Sequence, residues 1–195
     1  MKRKMRLLTL CLCALLLTAC AHGPKKPDAA ALFDTVCSAD EALALCRESG
    51  AVVIEGMRCT AGSAYWDAFY KNVCAGKPGS VLCAFYYVLD REHVSKELYE
   101  QEKDRYPKLY FYLTEYDGTA FTVTIRKSTE DAPEECRTFA YLLHCGGEAS
   151  ARLPFDDCYV LVDDDTVSWG DIEKGMFSSA FGDWIPHCVL YRNSL

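Results

Sequence analysis

The chain lacks an excess of positive charge: 21 Lys+Arg stand against 28 Asp+Glu, a formal net charge of −7 over 195 residues. That argues against a nucleic-acid binder, whose phosphate contacts need a basic face. It also lacks an apolar run of the roughly 20 residues that a membrane-spanning helix requires. Residues 7–17 form its longest run, broken only by Thr9. No CxxC pair and no Cys-His set at zinc-finger spacing occurs, so no metal or cofactor is expected. GxSxG, HExxH, a phosphate-cradling Walker loop and a dinucleotide fingerprint are all missing, which leaves no recognisable catalytic motif. No internal repeat is evident. Against these absences, 50% apolar and 25% charged residues describe an ordinary folded chain, long enough for one domain and a tail.

The amino-terminal residues carry the most specific signal. Lys2, Arg3, Lys4 and Arg6 form a positive stretch ahead of the apolar run, the pattern of an export signal. The run ends in Leu17-Thr18-Ala19-Cys20, in the order of the bacterial lipobox. The likeness implies cleavage before Cys20 and a diacylglyceryl group on its sulfur. The thiolate is the nucleophile that makes such a thioether feasible. Two acyl chains anchor stably where one, at about 0.8 kcal/mol per buried CH2, binds only marginally. Loss of residues 1–19 removes four cations and no anions, moving the formal charge from −7 to −11. Anionic headgroups would repel such a surface, so the lipid, and not the protein surface, is expected to hold the chain at the membrane. The expected organisation is a signal over 1–19, a lipidated terminus and Pro- and Lys-containing tether over 20–35, and one α+β domain over 36–195.

Nine cysteines follow Cys20. Several occupy positions suited to small buried hydrophobes, as Cys83 does within VLCAFYYVL. Buried thiols are one expectation and disulfides, which an exported chain permits, are the other.

Short-range signals outline the elements. Ser38 and Glu41 form a capping box for a helix over 39–49 that stops at Gly50. A strand is expected over 51–54 and a helix capped by Ser63, with Trp66, Phe69, Tyr70, Val73 and Cys74 on one face. Residues 81–89 are apolar on both faces, as in a central strand. Ser95 starts a short helix in a charged stretch. Residues 109–116 and 119–126, joined by Asp117-Gly118, read as a hairpin with a two-residue turn. In that register Tyr116 faces Thr119, Tyr112 faces Val123 and Tyr110 faces Ile125. Strands over 136–145, 159–162 and 187–191 and a helix capped by Ser168 and Asp171 complete an α+β pattern: a mostly antiparallel sheet with two or three packed helices.

The lipobox, the tether, the run GSVLCAFYYVLD, the hairpin YPKLYFYLTEYDGTAFTV and the tail VLVDDDTVSWGDIEKGMFSSAFGDWI together resemble a group of small lipoproteins of Gram-positive gut bacteria. The likeness covers most of residues 50–195. It implies membrane localisation and a single-domain architecture, and no catalytic residue, because the group carries no assigned activity.

Three constellations have chemical potential. Asp156, Asp157, Asp163, Asp164 and Asp165 are oxygen ligands, but the EF-hand register fails and helix-start carboxylates explain them equally well. His144-Cys145 and His187-Cys188 are adjacent pairs, which on a strand point to opposite faces and so are poorly placed for nucleophilic catalysis. Tyr110, Tyr112 and Tyr116 share one strand face and form a candidate interaction surface, since a tyrosine ring supplies contact area and a hydroxyl. The expected function is therefore a lipid-anchored extracytoplasmic binding protein. Its partners would be the membrane, through Cys20, and a protein or envelope component. The alternatives are an envelope hydrolase or thiol enzyme, or a carrier of a small ligand.

Overall fold

Three of the helices begin at a serine whose hydroxyl accepts a backbone N–H three residues on: Ser38, Ser95 and Ser168. The structure, a computed structural model, describes residues 29–145, 157–179 and 181–194. Leu17, Thr18, Ala19, Cys20 and Asp156 lie outside these residues. The first element among the described residues, α1 (Ala29–Phe33), falls inside the stretch expected to be tether. Leu32 and Phe33 are buried, so the fold begins earlier than the charge and proline pattern indicates. Burying two large apolar side chains, at about 1.5–3 kcal/mol each, offsets the cost of ordering one short turn.

The helix α2 (Ala39–Ser49) has the expected capping box. Ser38 Oγ accepts the Glu41 N–H at 3.3 Å, and the Ser38 N–H donates to Glu41 Oε2 at 3.0 Å. Strands β1 (Val52–Glu55) and β2 (Arg58–Ala61) form a hairpin that leads to α3 (Ser63–Cys74). Here Gly62, and not Ser63, is the cap. Its φ is +77°, and a Cβ there would lie 2.1 Å from the Ala51 carbonyl oxygen, so only glycine lets β1 and α3 start side by side. On α3, Trp66 and Phe69 are buried while Cys74, expected on the same face, is exposed.

Strand β3 (Gly79–Tyr87) runs parallel to β1 and is buried on both faces from Val81 to Phe85. The short helix α4 (Lys96–Glu102) buries nothing and precedes β4 (Lys108–Tyr116) and β5 (Phe121–Lys127). The hairpin register differs from expectation by two residues: Tyr116 pairs with Phe121, Tyr112 with Ile125 and Tyr110 with Lys127. Asp117 is the cause. Its Oδ1 accepts the N–H of Thr119 at 2.7 Å and of Ala120 at 2.9 Å, closing a four-residue loop in place of a two-residue turn. A two-residue slip preserves the side-chain faces, so the tyrosines still share a face with Phe121 and Val123.

The single strand expected over 136–145 is two strands: β6 (Glu135–Phe139), on the edge of the large sheet, and β7 (Tyr141–His144) in a second sheet. The large sheet has order β2-β1-β3-β4-β5-β6. The small sheet is β7 with β8 (Asp157–Val162) and β9 (His187–Asn193). Between β8 and β9 lies α5 (Trp169–Phe177), with a capping box of Ser168 and Asp171. The fold is mixed α+β, with β1 and β3 the only parallel pair among the described strands. Four helices, not two or three, contribute buried residues.

These elements form layers. Helices α1 and α2 cover one face of the large sheet through Leu32, Phe33, Ala42 and Cys46, against Val53, Leu82, Leu109 and Phe111. The other face packs Val52, Ile54, Val81, Cys83 and Phe85 against Trp66 and Phe69 of α3 and against Tyr159, Leu161, Leu190 and Tyr191 of the small sheet. Helix α5 covers the far side of the small sheet through Trp169 and Ile172.

One charged side chain lies within the α1 layer. Arg126 is 1% exposed, its guanidinium carbon 5.2 Å from the Phe33 ring centre and 5.1 Å from that of Phe111. It donates to the carbonyls of Thr35 (2.9 Å) and Lys127 (3.1 Å), and also to those of Phe33 and Glu130. We predict that Arg126→Met lowers unfolding stability by about 3 kcal/mol in urea titration, since several buried carbonyls lose a charged donor at once. Hydrogen exchange should accelerate first in α1.

The capping carboxylates supply a second prediction. Hydrogen bonds from Ser38 hold Glu41 below its ordinary 4.5, and those from Ser168 hold Asp171 below 3.8. A depressed folded pKa stabilises at neutral pH and is lost as pH falls through it. Far-UV circular dichroism should therefore show α2 and α5 fraying below about pH 4, and Glu41→Gln should remove part of that dependence.

Candidate functional site

The strand registers place a row of rings on one face of the large sheet. Tyr87 of β3 pairs with Lys108 of β4, Phe85 with Tyr110, and Cys83 with Tyr112. Across β5 and β6, Tyr112 aligns with Ile125 and Ile125 with Glu135, while Val123 aligns with Arg137. The small sheet covers this face only in part. The uncovered corner is a cleft of about 570 Å3 bordered by Tyr87, Tyr106, Lys108, Tyr110, Tyr112 and Glu134. It shares Tyr87, Tyr112, Ile125 and Glu135 with a narrower recess of about 260 Å3 that runs beneath β9. Phe85, Val123 and Phe139 wall that recess, and Arg137, His187, Cys188 and Arg192 also border it.

The rings are held by one another. Phe85 and Tyr112 lie 4.6 Å apart, and Tyr87 meets Tyr110 edge-on at 6.1 Å. Lys108 Nζ sits 4.3 Å above the Tyr106 ring, a cation–π contact. Burial raises the hydroxyl pKa of Tyr87, Tyr110 and Tyr112; Arg192 opposes the shift at Tyr87, and Glu134 adds to it at Tyr110. At neutral pH these hydroxyls are protonated, able both to donate and to accept. Tyrosine faces beside Glu, Lys and Arg can stack a ring or apolar chain and hydrogen-bond its polar end.

Of the three tyrosines expected to act together, Tyr110 and Tyr112 meet in the cleft. Tyr116 lies at the far end of β4, stacked on Phe121 at 4.5 Å and donating to the Gly118 carbonyl at 2.8 Å. It borders a separate shallow depression beside Pro78 and Asp117. Tyr86 points to the opposite face and donates to Asp40 at 2.7 Å. Lys108, Glu134, Glu135, Arg137 and Arg192 were not singled out by the sequence. The alternation Glu135-Arg137-Phe139 marks one face, but only pairing with β5 shows which.

The other constellations have structural roles. Asp163 accepts the Ala140 N–H at 3.3 Å, and Asp164 accepts the Thr166 N–H at 2.9 Å. Among the described residues no three potential metal ligands gather. His144 Nε2 bonds Asp157, and its ring stacks on Tyr159 at 4.3 Å. His187 Nδ1 lies 2.8 Å from the Ile185 carbonyl oxygen. No disulfide joins the described cysteines. Burial pushes Cys46, Cys158 and Cys188 up to about 12, and pushes Cys83 well above its ordinary value. Such thiols are almost wholly protonated at neutral pH and are poor nucleophiles.

No protein-family model, curated protein or solved structure matches this chain.

Exposure and thiol acidity together predict a labelling order. Iodoacetamide at neutral pH should alkylate the exposed Cys74 and Cys136 within minutes, while Cys46, Cys83, Cys158 and Cys188 react only after denaturation. Peptide mass mapping reads the order, and fast labelling of Cys188 in the folded chain would contradict its burial.

Proposed function

We propose that the protein is a lipid-anchored binding protein on the extracytoplasmic face of the cell membrane, and that it captures its ligand in the tyrosine cleft. The carrying observation for the site is the cleft itself, where tyrosine rings and both signs of charge border an open corner of the large sheet. The lipobox carries the anchor, with Cys20 as the acylated residue. Cys188 and His187 border the recess, yet the thiol is held protonated by burial, which favours binding over thiol catalysis. The narrowing toward the recess favours a small ligand over a flat protein surface, the carrier alternative of the sequence reading.

Two measurements test this reading. Labelled palmitate should enter the wild-type chain and not the Cys20→Ser variant, which should leave the membrane fraction. In cells, amine-reactive labelling of Lys108 should fall several-fold relative to the purified chain, while Lys77, exposed and distant from the cleft, labels equally in both. Equal labelling of Lys108 in the two settings would remove the cleft as the occupied site.

A further inference from the structure

We infer that the recess recognises the carboxylate of a small organic acid with an apolar, ring-sized body, and that Arg192 is the residue that binds it. The inference rests on the cleft being the binding site and names the chemistry of its ligand. Two arginines border the recess, in different circumstances. Arg137 is committed, because its Nε donates to Glu135. Arg192 forms no ion pair among the described residues. Its guanidinium carbon lies 5.8 Å above the Phe85 ring, its charge opposes the rise in the Tyr87 hydroxyl pKa, and its Nε is buried with no hydrogen-bond partner. A half-buried cation against apolar walls is poorly solvated, and a carboxylate there regains what water no longer supplies.

The charge count within the recess has one sign. Glu135 is neutralised by Arg137, which leaves Arg192 as the uncompensated charge. Glu134 stands in the outer cleft, where Lys108 opposes it. A cationic ligand would have to pass Lys108 and then meet Arg192. The planar fork of a guanidinium suits the two oxygens of a carboxylate, and Phe85, Val123, Ile125 and Phe139 suit an apolar body. A free acid of this kind fits a volume of about 260 Å3 better than a polymer does.

The test uses the full chain in lipid nanodiscs, with empty nanodiscs as the blank, and calorimetric titration with hydrocinnamate, hydrocinnamamide and phenylpropylamine. These probes share a body and differ in the charge of the head. The acid should bind at least about 10-fold more tightly than the amide, and the amine should give no heat. Arg192→Gln should reduce the acid to the level of the amide, Arg192→Lys should leave an intermediate preference, and the double variant Glu135→Gln/Arg137→Gln, which removes the neutral pair as a whole, should leave the preference in place. Circular dichroism confirms that each variant is folded, and the lysine variant keeps the test decisive should the glutamine variant unfold. Amide or amine binding as tightly as the acid would overturn the carboxylate assignment alone. Silence from all three probes, with Lys108 still protected in cells, would overturn the inference and leave the cleft standing; silence with Lys108 unprotected would remove both.

Discussion

A single buried guanidinium makes the layered arrangement possible. Arg126 leaves water to sit between two phenylalanine rings, a move that costs several kcal/mol unless its donors are satisfied. Backbone carbonyls satisfy those of its two terminal nitrogens, while its Nε is buried without a hydrogen-bond partner. Two of these carbonyls belong to Phe33, the last residue of α1, and to Thr35, two residues beyond it, where a helix leaves carbonyls without intrahelical partners and its dipole favours a cation. The others come from the chain leaving β5. Asp34 also stands near enough to oppose the downward pull of burial on the guanidinium pKa. The bond set therefore fastens the start of the fold to its fifth strand, more than ninety residues later. Cys37 adds to the seam, donating from its N–H to the Ser128 carbonyl at 2.9 Å. Once α1 and α2 are held, Leu82, Leu109 and Phe111 have a covering layer, and β3 and β4 can be apolar on that face.

The opposite face is covered less evenly, and that unevenness creates the cleft. The chain leaves the large sheet after Phe139 and enters the small one at Tyr141, so β6 and β7 cannot continue as one edge. The small sheet then packs Tyr159, Leu161 and Tyr191 over the part of the face near Trp66. The corner around Tyr110, Tyr112 and Ile125 is left to its own side chains. Long amphipathic residues suit such a corner, since ring faces and lysine stems cover apolar surface while hydroxyls and charges meet water.

Legibility in the sequence followed the range of the interaction. Both capping boxes were readable because all their atoms lie within four residues, at Ser38–Glu41 and Ser168–Asp171. The central strand was readable because burial on both faces leaves an unbroken apolar run from Val81 to Phe85. The hairpin faces were readable and the register was not, because the side-chain period of two survives a slip caused by one Asp117 carboxylate. The break at Ala140 was hidden, since Phe139 and Tyr141 alternate as in a single strand. Helix α1 was hidden by its length of five residues. Tyr110 and Tyr112 were legible as a candidate surface, and Arg192 was not. Its significance lies in the missing carboxylate, which depends on how β9 passes above Phe85.

The two faces of the large sheet also separate the proposed anchor from the proposed site. Helix α1 packs with Leu109 and Phe111, whereas the cleft belongs to Tyr110 and Tyr112, which alternate with them along the same strand. Successive strand residues point to opposite sides, so the sheet itself stands between the point where the chain enters the fold and the cleft. Ala29 follows Cys20 by nine positions, a reach of about 30 Å at full extension. With an acylated Cys20, that leash tethers the α1 side within a domain's width of the bilayer. In that proposed arrangement an acidic exterior would oppose close contact with anionic headgroups and leave the proposed site free to face outward. The proposed function needs that division: attachment on one side of a rigid layer, capture on the other.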